Sequence, residues 1–431
     1  MDYKDNPHFC LLPFMALNTR PNGGVKPCSE VKDMPPIRKE TNELTLVSSK
    51  NDYHSLTDES LDSVWNSEFM KDFRMNRING KYSKFCEVCY KQESNGIHSK
   101  RQTTIQKYYE DNKHLVKEAA ENNGHMSTMP VWWELRLSSI CNEACRFCIP
   151  QTSSKLREEL KDLYYELSPT VKTNTEVAVR NHRKYGYLGD NENFVQELFN
   201  NASNIKYLEL HGGEPTNDKN VWRVVEHLIN TGDAGHIHLH IHTNIHSLKQ
   251  KHIDLWKHFK SGWIGASIDA YDNENEYIRH GSKWQKIEEN LKLLNGLDNW
   301  EKWVTSTVSV YNVCTIDKLV TWFIEYANKH NMHDLNWQCW PLTIPELMMP
   351  ELVPYEIRQQ YITRIQDIKN THNNTTDKFL DTVIAILNST YEPTLESQNE
   401  FADYTRMLDK NRNQNFIQTF PHLKGVFNFN D

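Results

Sequence analysis

Residues 141–148 read Cys141-Asn142-Glu143-Ala144-Cys145-Arg146-Phe147-Cys148 and follow directly on the apolar run 131–137. Three thiols this close in sequence can converge on one centre. Four thiolates would close a structural zinc or iron–sulfur site, so three leave one coordination position open. From the residues alone the triplet is a cluster site with one free iron, a zinc knuckle completed by a distant fourth ligand, or a set of free thiols on a helix.

Outward from the triplet the chain alternates. Apolar or alternating runs at 131–139, 205–213, 236–244, 262–270, 303–311 and 333–341 are separated by stretches of helical character. Strands that alternate with helices build a parallel sheet through crossover connections, and in such sheets the chemistry sits at the carboxyl ends of the strands. The first run ends in the triplet. The second ends in His211-Gly212-Gly213-Glu214-Pro215, where paired glycines let backbone approach a ligand and the carboxylate can accept from an ammonium. The third, His236-Ile237-His238-Leu239-His240-Ile241-His242, has period two and sets four histidines on one face, about 7 Å apart and too far for one ion. They are predicted to face solvent or a helix. Thr243-Asn244 closes that run. The fourth gives Ala266-Ser267-Ile268-Asp269-Ala270 and then Tyr277-Ile278-Arg279-His280-Gly281-Ser282. The fifth leads to Asn312, and the sixth closes with Trp337-Gln338-Cys339-Trp340-Pro341, whose aromatics either line a pocket or pack the barrel.

The spacing C-x3-C-x2-C, with Gly-Gly-Glu at the second strand end, resembles the signature of the radical S-adenosylmethionine (radical SAM) superfamily. The resemblance implies an α/β fold with a partial (β/α)6 TIM-like barrel over 131–345. It implies a [4Fe–4S] cluster on Cys141, Cys145 and Cys148 whose open iron is chelated by the amino and carboxylate groups of SAM. The other implied SAM contacts are Phe147 near the adenine, Gly212, Gly213 and Glu214 at the amino group, Thr243 and Asn244, Ser267 and Arg279 at the carboxylate or ribose, and Asn312. The glycine that often follows the Thr-Asn pair is Ile245 here. Cleavage of SAM to a 5′-deoxyadenosyl radical and abstraction of hydrogen from a substrate are the implied chemistry, with the protein supplying placement and electrostatics.

Four further cysteines lie in the first 105 residues. Cys10 and Cys28 flank two short apolar runs joined at Asn22-Gly23-Gly24, and these residues supply the positive φ of a hairpin turn that brings the two thiols together. Ser60 is a helix N-cap leading into Leu61, Val64, Trp65, Phe69 and Phe73 at helical spacing. Cys86-Glu87-Val88-Cys89 is a C-x2-C knuckle able to grip one metal or cluster. The pattern C-x12-G-x4-C through Gly23, and Cys89-Tyr90 with Glu93, Gly96, Ser99 and Arg101, resemble the SPASM and twitch auxiliary-cluster domains of radical SAM enzymes. In better-known members that domain follows the barrel; here it precedes it. The resemblance implies one auxiliary [4Fe–4S] site on Cys10, Cys28, Cys86 and Cys89, with zinc at the same thiolates as the alternative.

The division expected is therefore an auxiliary domain at 1–105, a polar helix-prone connector at 106–130, the barrel at 131–345 and a helical region at 346–431, where no chemistry is legible. A charged amphipathic helix over 152–167 and about 25 polar residues after it form an insertion in the barrel. Charged residues are 25% of the chain and the formal net charge is −8, which gives no global basic footprint for nucleic acid. No apolar run approaches a membrane span and residues 1–7 lack a signal pattern, so a cytoplasmic protein is predicted. Seven of the nine cysteines fall in the first 148 residues and, clustered in this way, read as metal or cluster ligands, with Cys314 and Cys339 as buried packing residues. The expected function is radical SAM chemistry on a peptide or protein or a small molecule, with a reductant such as flavodoxin or ferredoxin. The alternative is a non-catalytic zinc or iron–sulfur interaction protein.

Overall fold

The computed structural model describes residues 2–31, 54–94, 98–371 and 377–429. Its ten strands are β1 (Ala16–Thr19), β2 (Val25–Lys26), β3 (Trp132–Arg136), β4 (Ala144–Cys145), β5 (Tyr207–His211), β6 (His238–Thr243), β7 (Ser261–Ser267), β8 (Arg279–His280), β9 (Trp300–Val308) and β10 (Leu335–Pro341). The main sheet has the order β10-β9-β7-β6-β5-β3-β1-β2. From β3 to β10 its strands are parallel and neighbours in space follow the order of the chain. This is a partial (β/α)6 barrel, and all six predicted strands are present. Among the described residues β10 pairs only with β9, so the barrel stays open.

Period-two alternation sorts the two faces of each strand. Leu208 and Leu210, Leu239 and Ile241, Ile264 and Ala266, and Val304 and Val308 are fully buried on the outer face, beneath the helices. The inner face is polar and half-buried; along β6 the histidines alternate with buried residues. Burying each of the outer aliphatic side chains contributes about 1.5–3 kcal/mol, so the outer face holds the sheet together and the inner face is free to carry function.

Two features differ from the expected division. The hairpin of β1 and β2 forms as the Asn-Gly-Gly turn predicts, with Gly23 at φ +83°, but β1 also pairs in parallel with β3, placing Ala16 beside Trp132 and Asn18 beside Glu134. The N-terminal region is thus continuous with the barrel sheet. A boundary at 105 also falls inside a helix: Lys100–Glu121 is continuous and starts in a capping box between Ser99 and Gln102. It is a packed element, because Tyr108 stacks edge-on against Trp132 and Tyr207 and Lys100 pairs with Glu134. The helix covers the lower half of the inner face.

Ser60 caps Leu61–Trp65 as expected, and a second helix, Glu68–Ile78, follows. The insertion after the triplet contains Ser154–Asp162 and also Pro169–Tyr185, a full helix in the stretch read as polar; Ser168 caps it and Pro169 opens it. The C-terminal region is helical, its longest element being Leu395–Arg412. No described helix is long and apolar enough to cross a membrane.

Candidate active site

The triplet loop leaves β3 and is held from three sides. Cys145 and Ala144 form β4, which pairs with β8 so that Cys145 lies opposite Arg279. From the C-terminal helix Asp409 accepts from the buried Arg146, whose guanidinium lies 3.7 Å from the centre of the Tyr277 ring. Arg412 donates to the Ala144 carbonyl at 2.8 Å and to Glu159 at 2.6 and 2.9 Å. The third side is the glycine pair. A Cβ on Gly213 would stand 2.2 Å from the Ile140 carbonyl oxygen, and one on Gly212, whose φ is +155°, 2.8 Å from that of Ser138. Glu214 N donates to Ile140 O at 2.7 Å. The close backbone approach that the two glycines permit is therefore to the triplet loop, where the sequence reading had a ligand.

Glu214 is 1% exposed and ties the second and third strand ends together. Its Oε1 accepts from Thr243 Oγ1 at 2.7 Å and from the Thr216 amide and hydroxyl; its Oε2 accepts from Asn244 N at 2.7 Å. Burial pushes the carboxyl above its ordinary value while these donors pull it back. Oε2 takes one hydrogen bond and keeps lone pairs for a further donor. Asn244 reaches on to Asn142 Oδ1 at 2.8 Å, so the third strand end also touches the triplet loop.

Arg279 is buried. It donates from Nε to Asp269 at 2.5 Å, and its Nη1 lies 3.6 Å from Glu143 and 3.8 Å from Cys145 Sγ. Burial pushes Glu143 up to about 8, against the pull of Arg279. Phe147, Ser267, Arg279, Thr243 and Asn244 open with Gly212, Gly213, Glu214 and the three cysteines onto one cavity of about 590 Å³, a size proper to a small-molecule site. Asn312 does not line it. It is fully buried, its Oδ1 accepting from Ser309 and its Nδ2 donating to the Asp269 and Thr307 carbonyls, so its amide braces β7 against β9 and is spent there.

Cys10, Cys28, Cys86 and Cys89 are brought together at the open end of the hairpin by the helices Lys84–Cys86 and Glu87–Ser94. Burial, and then the charges of Cys86, Cys28 and Cys89, push the Cys10 thiol far up; burial raises Cys28 to about 12 and Cys89 to about 11. In the triplet burial likewise raises Cys141 to about 12. Burial at such depth disfavours free thiolates, and a bound metal centre would supply the positive charge that offsets it. No three of the described cysteine sulfurs lie within 4.8 Å of one another, whereas four thiolates on one zinc at about 2.3 Å would stand about 3.8 Å apart. Around the four-cysteine site Arg77 donates to Tyr90 at 2.9 Å and lies 3.8 Å from Cys86 Sγ, and Arg101 pairs with Glu93, which also accepts from Ser99. Gly96 lies outside the described residues.

The histidines of β6 share one face as expected, the lower part of which packs toward the helix Lys100–Glu121 through Tyr207 and Trp132, while its upper end opens on the cavity. His238, His240 and His242 point to the inner face, where His242 stacks on His211 at 4.7 Å and opens on the cavity; His236 precedes the strand in a short helical turn. Burial, with the charge of His211, holds His242 far below its ordinary value, so it is neutral. Lys26, Ser29, Arg136 and His211 also line the cavity and were not read from the sequence. The alternation of charge with apolar residues in Trp132-Trp133-Glu134-Leu135-Arg136 was the available signal for Arg136. Trp340 lies at the rim while Trp337 and Cys339 are buried in the outer layer, so the last strand both lines the cavity and packs the barrel.

A cavity lined by three cysteines at the carboxyl ends of a parallel partial barrel is the arrangement that the sequence motifs lead one to expect of a SAM-dependent protein, and comparison with known families agrees with it. The description "Radical SAM superfamily" matches residues 135–317, and "Iron-sulfur cluster-binding domain", the SPASM family, matches residues 10–90. The chain thus carries a region that matches the radical SAM superfamily and, before it, a region that matches the SPASM iron-sulfur cluster-binding domain. Curated protein sequences give no match. Among solved structures it is similar to SuiB of Streptococcus suis bound to S-adenosylmethionine, at 12% identity and a TM-score of 0.36, over 71% of this chain and 64% of that one. It is also similar to TYW1 with a lysine–pyruvate adduct, at 14% identity and a TM-score of 0.31, over 57% and 76% of the two chains. A third is anSMEcpe with bound AdoMet and a Cp18Cys peptide, at 12% identity and a TM-score of 0.28, over 62% and 55%. The chain thus spans slightly less than two thirds of the length of SuiB.

Proposed function

We propose that this protein is a radical SAM enzyme with two [4Fe–4S] clusters, one open on Cys141, Cys145 and Cys148 and one fully ligated by Cys10, Cys28, Cys86 and Cys89. With its cluster bound, the open site supplies one-electron cleavage of the SAM C5′–S bond, giving methionine and a 5′-deoxyadenosyl radical that takes hydrogen from the substrate. The observation that carries the reading is the single cavity onto which the triplet, the Gly212-Gly213-Glu214 turn and the ends of β6 and β7 all open.

The chain's own residues bind and orient. Glu214 Oε2, already holding the Asn244 amide, accepts from the SAM ammonium. Phe147 offers a face for the adenine, Ser267 a hydroxyl, and Arg279 its remaining N–H groups for the carboxylate or ribose while Asp269 fixes its plane. Thr243 and Asn244 act by holding Glu214 and the triplet loop in register. Electrons come from a reductant such as flavodoxin or ferredoxin, in a cytoplasmic setting, and the substrate is a peptide or a small molecule. A zinc-binding interaction protein fits less well, because such a protein has no use for a buried carboxylate at a strand end.

The test is anaerobic incubation of cluster-loaded protein with SAM and dithionite, following 5′-deoxyadenosine by mass spectrometry with Cys141→Ala as control. Nucleoside formed only by the intact triplet supports the assignment. Zinc in place of iron and sulfide, in protein purified without air, overturns it.

A further inference from the structure

The cavity has a second half that the residues assigned to SAM do not use. Lys26 and Ser29 approach from the hairpin side, Arg136 and His211 from the ends of β3 and β5. Lys26 Nζ donates to the Val31 carbonyl at 2.6 Å, and no carboxylate pairs with it among the described residues. Among the described residues Arg136 donates from its side chain through Nη1, to Glu134 at 3.3 Å, and that carboxylate is shared with Lys100. Glu209 below them is taken by Trp132, His211 and His240. The carboxylates at the triplet end are engaged by Arg279 and by the strand-end donors of Glu214. Across the cavity the rim is apolar and open: Trp340 is 49% exposed and Ile344 40%.

Two cations in a half-enclosed cavity, one with no carboxylate among the described residues and one sharing Glu134 with Lys100, cost free energy that an incoming anion recovers. A guanidinium with N–H groups to spare is shaped for a carboxylate or a phosphate, and an ammonium adds a point charge beside it. We propose that Lys26 and Arg136 form a subsite for an anionic group of the substrate, a carboxylate or a phosphate, and that the apolar remainder of the substrate packs on Trp340 and Ile344. The assignment of this half to substrate rests on the reading above, in which SAM fills the other half. The subsite anchors the substrate by its anionic group at the ends of β2 and β3, while Trp340 and Ile344 take its apolar remainder at the rim. It also gives the hairpin a part in recognition, since Lys26 belongs to β2, two residues before Cys28.

The experiment uses cluster-loaded, SAM-bound protein under anaerobic conditions, titrated with phenylacetate and with phenyl phosphate by isothermal titration calorimetry. Saturable binding of at least one probe is expected, weakened about tenfold or more by Lys26→Met and by Arg136→Gln, with SAM affinity and iron content unchanged. Which probe binds tells carboxylate from phosphate. Lys26→Met decides the matter if Arg136→Gln disturbs β3, because the ammonium contacts a single carbonyl. Failure of both probes to saturate, or equal binding by wild type and Lys26→Met, overturns the subsite. SAM cleavage measured on the same preparation separates the two readings: cleavage without probe binding sinks the anion subsite alone, and absence of cleavage sinks the enzyme assignment.

Discussion

The two cysteine sites are built in opposite ways. The triplet comes from one loop after one strand, and its sulfurs line the cavity. The quartet is gathered from a hairpin's two ends and a pair of short helices, behind the cavity wall. Under the proposed ligation the difference follows from ligand number. A site with an open position has to face space that a small molecule can enter, so other elements must hold its loop: the glycine pair, the β8 strand and the C-terminal helix all do so. A site that closes its own coordination needs no such space, and it is surrounded instead by buried cations, Arg77 and Arg101.

Breaking each site separately sharpens the contrast. Removing one triplet ligand, Cys141→Ala or Cys145→Ala, is expected to abolish 5′-deoxyadenosine formation while about half of the iron and sulfide stays bound by the quartet; loss of all iron would show that the two sites do not load independently. Glu214→Gln keeps the shape of the side chain and removes its charge. The Kd for SAM is expected to rise about 10- to 100-fold, the worth of a charge-assisted hydrogen bond, with cluster content unchanged. Unaltered SAM binding would remove Glu214 from the ammonium site.

The clamp on the triplet loop is tested through Glu159. Burial alone pushes its carboxyl up, but the hydrogen bonds and charge of Arg412, with Asn411, hold it below its ordinary value of 4.5. A carboxyl depressed in the folded state contributes stability above the unfolded value, and that stability is lost as pH falls through the folded value. Glu159→Gln is therefore expected to cost about 2 kcal/mol at pH 7, less than a fully buried pair because Glu159 is partly open to solvent. Its thermal stability is expected to fall less steeply than wild type below pH 4.5; equal slopes would place the acid sensitivity elsewhere. The smallest effect is at the closed site. Arg77→Met removes a cation 3.8 Å from Cys86 Sγ and is expected to lower the reduction potential of the quartet cluster, leaving that of the triplet cluster in place. Potentiometric titration followed by EPR distinguishes the two.

Much of this was legible in the sequence because it depends on local pattern. The six strands follow from hydrophobic alternation, the strand-end motifs from their position after each run, and the hairpin from Asn22-Gly23-Gly24. What escaped depends on contacts distant in sequence. Nothing in residues 16–18 announces that they pair with 132–134, and nothing in Arg412 announces a bond to the Ala144 carbonyl. Asn312 was read by its place after the fifth strand, but its amide is spent on backbone groups that only the packed sheet brings near. The histidines of β6 were correctly set on one face; which face they occupy was decided by the barrel curving around a polar interior, with Glu209 and His211 as neighbours. The helix Pro169–Tyr185 was missed because its exposed face is polar throughout, although Ser168-Pro169 marks its start.

The parallel pairing of β1 with β3 also bears on how the molecule comes into being. Ala16 and Trp132 are partners, yet the intervening segment must be synthesised before they can meet, and contacts of such long sequence separation form slowly. During synthesis the first strand waits with an unsatisfied edge, and the four thiols around it wait with it. Under the proposed ligation the four thiols, all within residues 10–89, would be bridged by one metal centre and would act as a staple that keeps the edge of the barrel from fraying.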